Sequence, residues 1–253
     1  MKFFVFLFLS ISQCDPPAAL SEKPVNFIQA SSDFVEALSK GENVENFIKV
    51  FQYADLDQLC KQTGEDKQKI TFWGNIYNGY ILHILRQNPA LYKDRNSFFK
   101  RKQIQIGQKK WSFEDIEHGI LRGSRHPYFF GYMKKWFPSK TEKKLRVAKT
   151  DYRIHFVLNC GARSCPPVLV LQIDSLGEQL EKATRDFLML NSRLEQDKNI
   201  VFISPLFSWF RGDFGGEKGI KKILIKHNII TSSSVRIKYT EYDWTLDLNN
   251  FTR

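Results

Sequence analysis

The chain of 253 residues carries 38 Lys and Arg against 27 Asp and Glu, a formal net charge of +11. Hydrophobic content of 42% and charged content of 26% exclude a disordered chain and allow one large domain or two small ones with a sizeable core. The positive balance suits anionic partners, but the basic residues are spread along the chain and no nucleic-acid module signature occurs, so no specific nucleic-acid partner is expected.

The first stretch, MKFFVFLFLSISQC, has one Lys, an apolar run from Phe3 to Leu9, and then small and polar residues. It reads as a secretory signal peptide over residues 1–14, too short for a bilayer span of roughly 20 apolar residues. Cys14 opens a second option, a lipoprotein signal whose lipid would hold the chain to a membrane, although Gln13 is a poor match to the small residue usual there. Either reading exports the chain to a periplasmic, membrane-anchored or extracellular position. Export leaves Cys60, Cys160 and Cys165. An odd count in an oxidising compartment requires at least one free thiol or an intermolecular bond.

Residues 15–30 are Pro-rich and read as extended. SSDFVEALSK carries N-cap residues ahead of a helical pattern, and ENVENFIKVFQYA reads as the next helix. Residues 68–87 are apolar nearly all round, the pattern of a helix buried on most sides, ended by Asn88-Pro89. IQIGQKKWSF predicts a β-hairpin turning at Gly107. FEDIEHGILRG predicts a helix of about ten residues closed by Gly123. RIHFVLNC reads as an apolar central strand and VLVLQI as another. Residues 175–194 predict an amphipathic helix with Ser175 and Glu178 as a capping box. NIVFIS reads as a strand, EKGIKKILIKHN as a basic helix, and VRIKYTEYDWTLDLN as strand material. Helices precede strands with no βαβ alternation, which predicts an α+β fold. The expected arrangement is a single compact domain with its helical N-terminal half packed on a mixed or antiparallel sheet.

Several residues could carry chemistry. On the helix 113–122, Phe113, Ile116, Ile120 and Leu121 define an apolar stripe that contains Glu117, with His118 on its flank beside Glu114 and Arg122. A carboxylate aimed into apolar packing either ties a cation structurally or serves a site. Asn75 and Asn78 sit three apart on the buried helix, where amides most often fasten neighbouring loops. In DYRIHFVLNCGARSCPP, strand alternation puts His155, Val157 and Asn159 on one face and Cys160 on the other. Gly161 permits a sharp turn that exposes backbone N–H groups. Three readings of Cys160 and Cys165 stand open: a disulfide leaving Cys60 as the odd thiol, a metal or redox pair, and a nucleophile with an oxyanion pocket.

FWGNIYNGYILH, SFEDIEHGILRG, RIHFVLNCGARSCPPV, LFSWFRGDFG and YDWTLDLN together resemble, in order, the motifs of the domain of unknown function 547 family, over residues 68–250. The resemblance divides the chain into the signal at 1–14, an N-terminal helical extension at 15–67, and the family domain. It implies a cysteine-peptidase-like hydrolase or acyl transferase acting on a peptide or amide bond. The implied catalytic set is Cys160, His118 and Glu117, with His155 as the alternative base. Glu117 would orient His118 or keep it charged, although neighbours on an α-helix point about 100° apart. Asn75, Asn78, Gly161 and Arg163 would contact substrate or shape its pocket. No metal or other cofactor is expected. The rival expectation is a non-enzymatic exported binding or scaffold protein whose motif residues are structural.

Overall fold

The computed structural model describes residues 24–251. The stretch expected to be a signal peptide, Cys14 and the first part of the Pro-rich stretch lie outside the described residues. Three short helices lead in: α1 (Phe27–Lys40), α2 (Glu45–Gln52) and α3 (Leu56–Gln62). They cover α4 (Asp66–Gln87), the long central helix, which buries Phe72, Trp73, Ile76, Ile81 and Leu85 without exposure. A capping box of Glu65 and Gln68 starts α4, and Asn88 ends it ahead of Pro89. Gly79 lets α1 come close: a Cβ there would lie 2.3 Å from the Phe34 ring. A glycine inside a helix costs about 1 kcal/mol; at Gly79 the close packing of α1 offsets it.

α5 (Arg95–Lys100) precedes the hairpin of β1 (Ile104–Ile106) and β2 (Lys109–Trp111), which turns at Gly107 with φ +60°. The predicted helix after it is a π-helix, Asp115–Leu121. α6 (Lys140–Leu145) follows. The sequence from 152 to 160 then departs from expectation. It forms no strand; Tyr152–Phe156 is a 3-10 helix capped by the Asp151 side chain. The reason is burial on every side. Ile154 packs in one hydrophobic core and Phe156 in a second, and a short apolar run buried all round fits a tight helical turn as readily as a strand. VLVLQI is likewise irregular, with a single bridge from Val168 to Phe251.

α7 (Leu176–Asn191) matches the amphipathic prediction, but the Ser175 side chain makes no capping bond, so the proposed capping box is absent. Three short strands close the fold: β3 (Arg193–Glu195), β4 (Ile200–Ile203) and β5 (Arg236–Tyr239). β3 and β4 pair antiparallel and β4 and β5 parallel, so the sheet is mixed. Between β4 and β5 lie α8 (Leu206–Trp209) and α9 (Gly216–Lys226). The architecture is α+β. Among the described residues the strands form two separate small sheets, β1–β2 and β3–β4–β5, in place of one sheet under the helical half. The larger core surrounds α4, and the second lies between α7, α8, α9 and the three-stranded sheet.

Candidate active site

Where the two cores meet, a cleft of about 530 Å³ opens, a size usual for small-molecule sites. Tyr77, Glu117, His118, His155, Cys160 and Phe210 line it among others. These side chains come from α4, the π-helix, the 3-10 turn, the loop after it, and the segment after α8.

The π-helix decides how Glu117 and His118 are presented. Its i→i+5 bonds run from Arg122 N–H to Glu117 O at 2.9 Å and from Ser124 N–H to Gly119 O at 2.8 Å. The wider turn changes the angular spacing of an α-helix, and both neighbours reach the cleft. Glu117 Oε1 and His118 Nδ1 are 3.7 Å apart, too long for a hydrogen bond. Arg122 Nη1 instead donates to His118 Nδ1 at 2.7 Å. An arginine only donates, so Nδ1 is bare and the proton sits on Nε2. Burial, then the Arg122 charge, push the His118 pKa well below the usual value. Glu117 therefore does not keep His118 charged, as the resemblance implied. His118 is neutral, and its other nitrogen is a donor, which removes it as a base. Glu117 accepts a hydrogen bond from the Tyr77 hydroxyl at 3.0 Å. Burial raises the Glu117 pKa; the Arg122 charge and Tyr77 oppose that shift without cancelling it.

His155 has the arrangement of a base. Its Nε2 donates to Asp213 Oδ2 at 2.9 Å, and its ring stacks on Phe210 with centroids 4.0 Å apart. Burial lowers its pKa against the opposing pull of Asp213. The ring is therefore neutral at pH 7, with Nδ1 as its remaining acceptor. Arg122 Nε donates to the same Asp213 oxygen at 2.5 Å, and both side chains are sealed, at 1% and 0% exposed. Burial alone would raise the Asp213 pKa, but hydrogen bonds from His155 and Arg122 hold it at about 2.

Cys160 and Cys165 are joined in a disulfide with Cα atoms 6.2 Å apart, and among the described residues Cys60 is the free, half-buried cysteine. Of the three open readings the disulfide is the one found, so Cys160 carries no thiol in this form. The zinc arrangement loses both thiolates with it. Among the described residues no group of three or more His, Cys, Asp or Glu is placed to hold a metal ion. The Tyr242 hydroxyl lies 3.1 Å from Cys165 Sγ and 3.7 Å from Cys160 Sγ.

Of the Gly161–Ala162 amides expected to form an oxyanion pocket, the first is already committed and neither residue lines the cleft. Gly161 N–H donates to Asn159 Oδ1 at 2.7 Å, and Arg163 N–H to Thr245 O at 2.8 Å. Gly161 takes φ +86°, the left-handed bend foreseen, but it is buried near Leu85, Tyr92 and Leu246. Arg163 is exposed and pairs with Asp243 at 3.3 Å. Neither lines the cleft. Asn75 and Asn78 do not line it either; both are fully buried fasteners. Asn75 clasps the Leu171 peptide with two bonds of 2.9 Å. Asn78 donates to Val157 O at 2.8 Å and accepts from Asn159 N–H at 2.9 Å. The structural reading of these amides holds; the substrate-binding role is corrected.

Asp213, Tyr77 and Tyr242 escaped the sequence reading. Asp213 stands 58 residues beyond its partner His155, and its one signal is a carboxylate inside the aromatic run LFSWFRGDFGG.

A family model described as "Protein of unknown function, DUF547" matches residues 61–188, about half of the chain. Glu117, His118, His155 and Cys160 fall inside the match, while Asp213 and Tyr242 lie beyond it. No curated protein and no solved structure matches the chain.

Proposed function

Because the chain belongs to the DUF547 family, whose description assigns no chemistry, we propose its function from the cleft: a thiol-dependent hydrolase or acyl transferase for a peptide or amide bond, resting as the disulfide. The observation that carries this reading is His155, held by the buried Asp213, lining the same cleft as Cys160. A dithiol reductant opens the Cys160–Cys165 bond by exchange, and its own thiols become the new disulfide. His155 Nδ1 takes the Cys160 proton and the sulfur attacks the carbonyl carbon. Negative charge gathers on the carbonyl oxygen, for which His118 Nε2–H is the available donor in place of the committed Gly161 amide. His155 gives the proton it took from Cys160 to the leaving amine as the thioester forms. Water then cleaves the thioester: His155 Nδ1 takes a proton from the water and passes it to the departing sulfur.

Incubation of the protein with a panel of peptide, amide and thioester acyl donors tests this. Hydrolysis and acyl labelling of Cys160 should appear only after reduction and vanish in Cys160→Ser. Cys165→Ser should be active with no reductant. An inert Cys165→Ser variant that still folds would overturn the reading. It would favour the second one, a binding module, which the hydrogen-bonded amides of Asn159, Gly161, Arg163, Ser164 and Cys165 support.

The proposal includes export. The apolar run at Phe3–Leu9 and the disulfide both suit an oxidising compartment, and lipid on Cys14 remains the proposed route to a membrane anchor. No described helix is long and apolar enough to cross a membrane.

A further inference from the structure

Residues 125–144, RHPYFFGYMKKWFPSKTEKK, touch the proposed chemistry only at their start, where Pro127 lines the cleft and Arg125 lies 3.7 Å from Asp213 Oδ1, and at Gly131 beside the Arg122–Asp213 ion pair. They hold the largest exposed aromatic group among the described residues. Tyr128, Phe129, Phe130 and Tyr132 are each more than half exposed, Trp136 is 80% exposed and Phe137 94%. Single exposed apolar residues are ordinary, but six aromatics within ten positions are not.

The loop is built to hold them out. Its two limbs are joined by an Arg125–Lys134 bridge, by His126 N–H to Met133 O at 2.8 Å, and by Lys135 N–H to Ser124 O at 2.7 Å. Phe129 and Phe130 take φ of +66° and +55°, a region that bulky residues rarely adopt and that costs of order 1 kcal/mol or more each. Gly212 N–H fixes that conformation by donating to Phe130 O at 2.7 Å. Gly131 lies so close to the buried ion pair that a Cβ would be 2.7 Å from both Arg122 Nη2 and Asp213 Oδ1. Strain held by anchors at its base keeps aromatic rings in solvent, where a soluble surface gains nothing from them.

Charge says what covers them. The segment has six basic residues and one acidic residue, Glu142. Glu142 is already engaged by Ser124 Oγ at 2.6 Å and Lys135 Nζ at 3.4 Å. Lys134, Lys140 and Lys143 remain exposed beside the rings. Aromatic side chains favour the headgroup level of a bilayer, and each Lys or Arg near an anionic surface adds about 1 kcal/mol. A protein partner would need acidic residues matched to each base; an anionic lipid surface supplies that charge everywhere. We propose that the 125–144 loop docks the protein on anionic lipid bilayers, with Trp136 and Phe137 inserted at headgroup depth. This anchor is separate from any lipid on Cys14 and independent of the proposed hydrolysis. It also sets the Pro127 edge of the cleft beside the lipid surface.

The test uses the full chain with vesicles of phosphatidylcholine containing about a third phosphatidylglycerol, some made with brominated acyl chains. The apolar run at Phe3–Leu9 can bind lipid on its own, so the readout must be local to the loop. Bromine should quench a component of tryptophan emission in the wild type that is missing in Trp136→Phe. The double variant Trp136→Ser, Phe137→Ser touches only exposed side chains. Its partitioning should weaken about tenfold, as should that of the wild type on pure phosphatidylcholine. Unquenched Trp136, or binding of the double variant within twofold of wild type, would overturn the proposal. So would concentration-dependent self-association that the double variant abolishes while vesicles do not bind.

Discussion

Replacing Asp213 with Asn removes the charge that Arg122 and His155 share. The carboxyl group falls from an ordinary 3.8 to about 2 in the folded protein, a drop that corresponds to roughly 2.5 kcal/mol. Since the folded pKa is depressed, that stability is complete above pH 3.8 and is lost as pH falls through about 2. The substitution does more than protonation does, because it leaves the Arg122 guanidinium, 1% exposed, with no counter-charge. Breaking a buried pair from one side costs about 3–5 kcal/mol. At pH 7 we expect Asp213→Asn to lose about 4 kcal/mol in urea unfolding. At pH 2, where the wild-type carboxylate is itself half protonated, the deficit should shrink by about 2 kcal/mol. A deficit under about 1 kcal/mol at pH 7, or an equal deficit at both pH values, would refute this account of the cluster.

Asn78→Ala should cost about 3 kcal/mol in the same assay, because it strands the buried Val157 carbonyl and Asn159 amide together; a loss below about 1 kcal/mol would mean that water replaces the clasp. Tyr77→Phe removes the hydroxyl that stabilises the Glu117 carboxylate, so the Glu117 pKa should rise further in a carbon-13 titration of labelled glutamate. An unchanged or lower value would mean that Tyr77 does not set it.

Elements with one dominant pattern were legible in the sequence. The all-round apolar run gave α4, and Gly107 between two short alternating segments gave the hairpin. The stretch from 152 to 160 was not legible, because the contacts that shape it come from two cores and from Asn78, 79 and 81 residues away. The π-helix hid in FEDIEHGILRG for a similar reason. Periodicity over ten residues does not reveal an i→i+5 turn; the 100° objection was to Glu117 and His118 pairing directly, and in the π-helix they border one cleft without a hydrogen bond between them. Of the site, His155, His118, Glu117 and Cys160 could be named from residue type and motif. Their protonation could not, because it depends on Arg122 and Asp213, which are 91 residues apart in the chain. The amides of Asn75 and Asn78 show the converse: their burial could be read from the helix pattern, and burial is what makes them fasteners.

The most direct test of the central claim is the alkylation rate of Cys160 against pH in the reduced protein, resolved from Cys60 and Cys165 by peptide mass mapping. A thiol served by the Asp213–His155 pair should alkylate rapidly and level off below about pH 7, and His155→Ala should abolish that behaviour. A rate that climbs only near the ordinary thiol pKa of about 8.5, alike in wild type and variant, would contradict it.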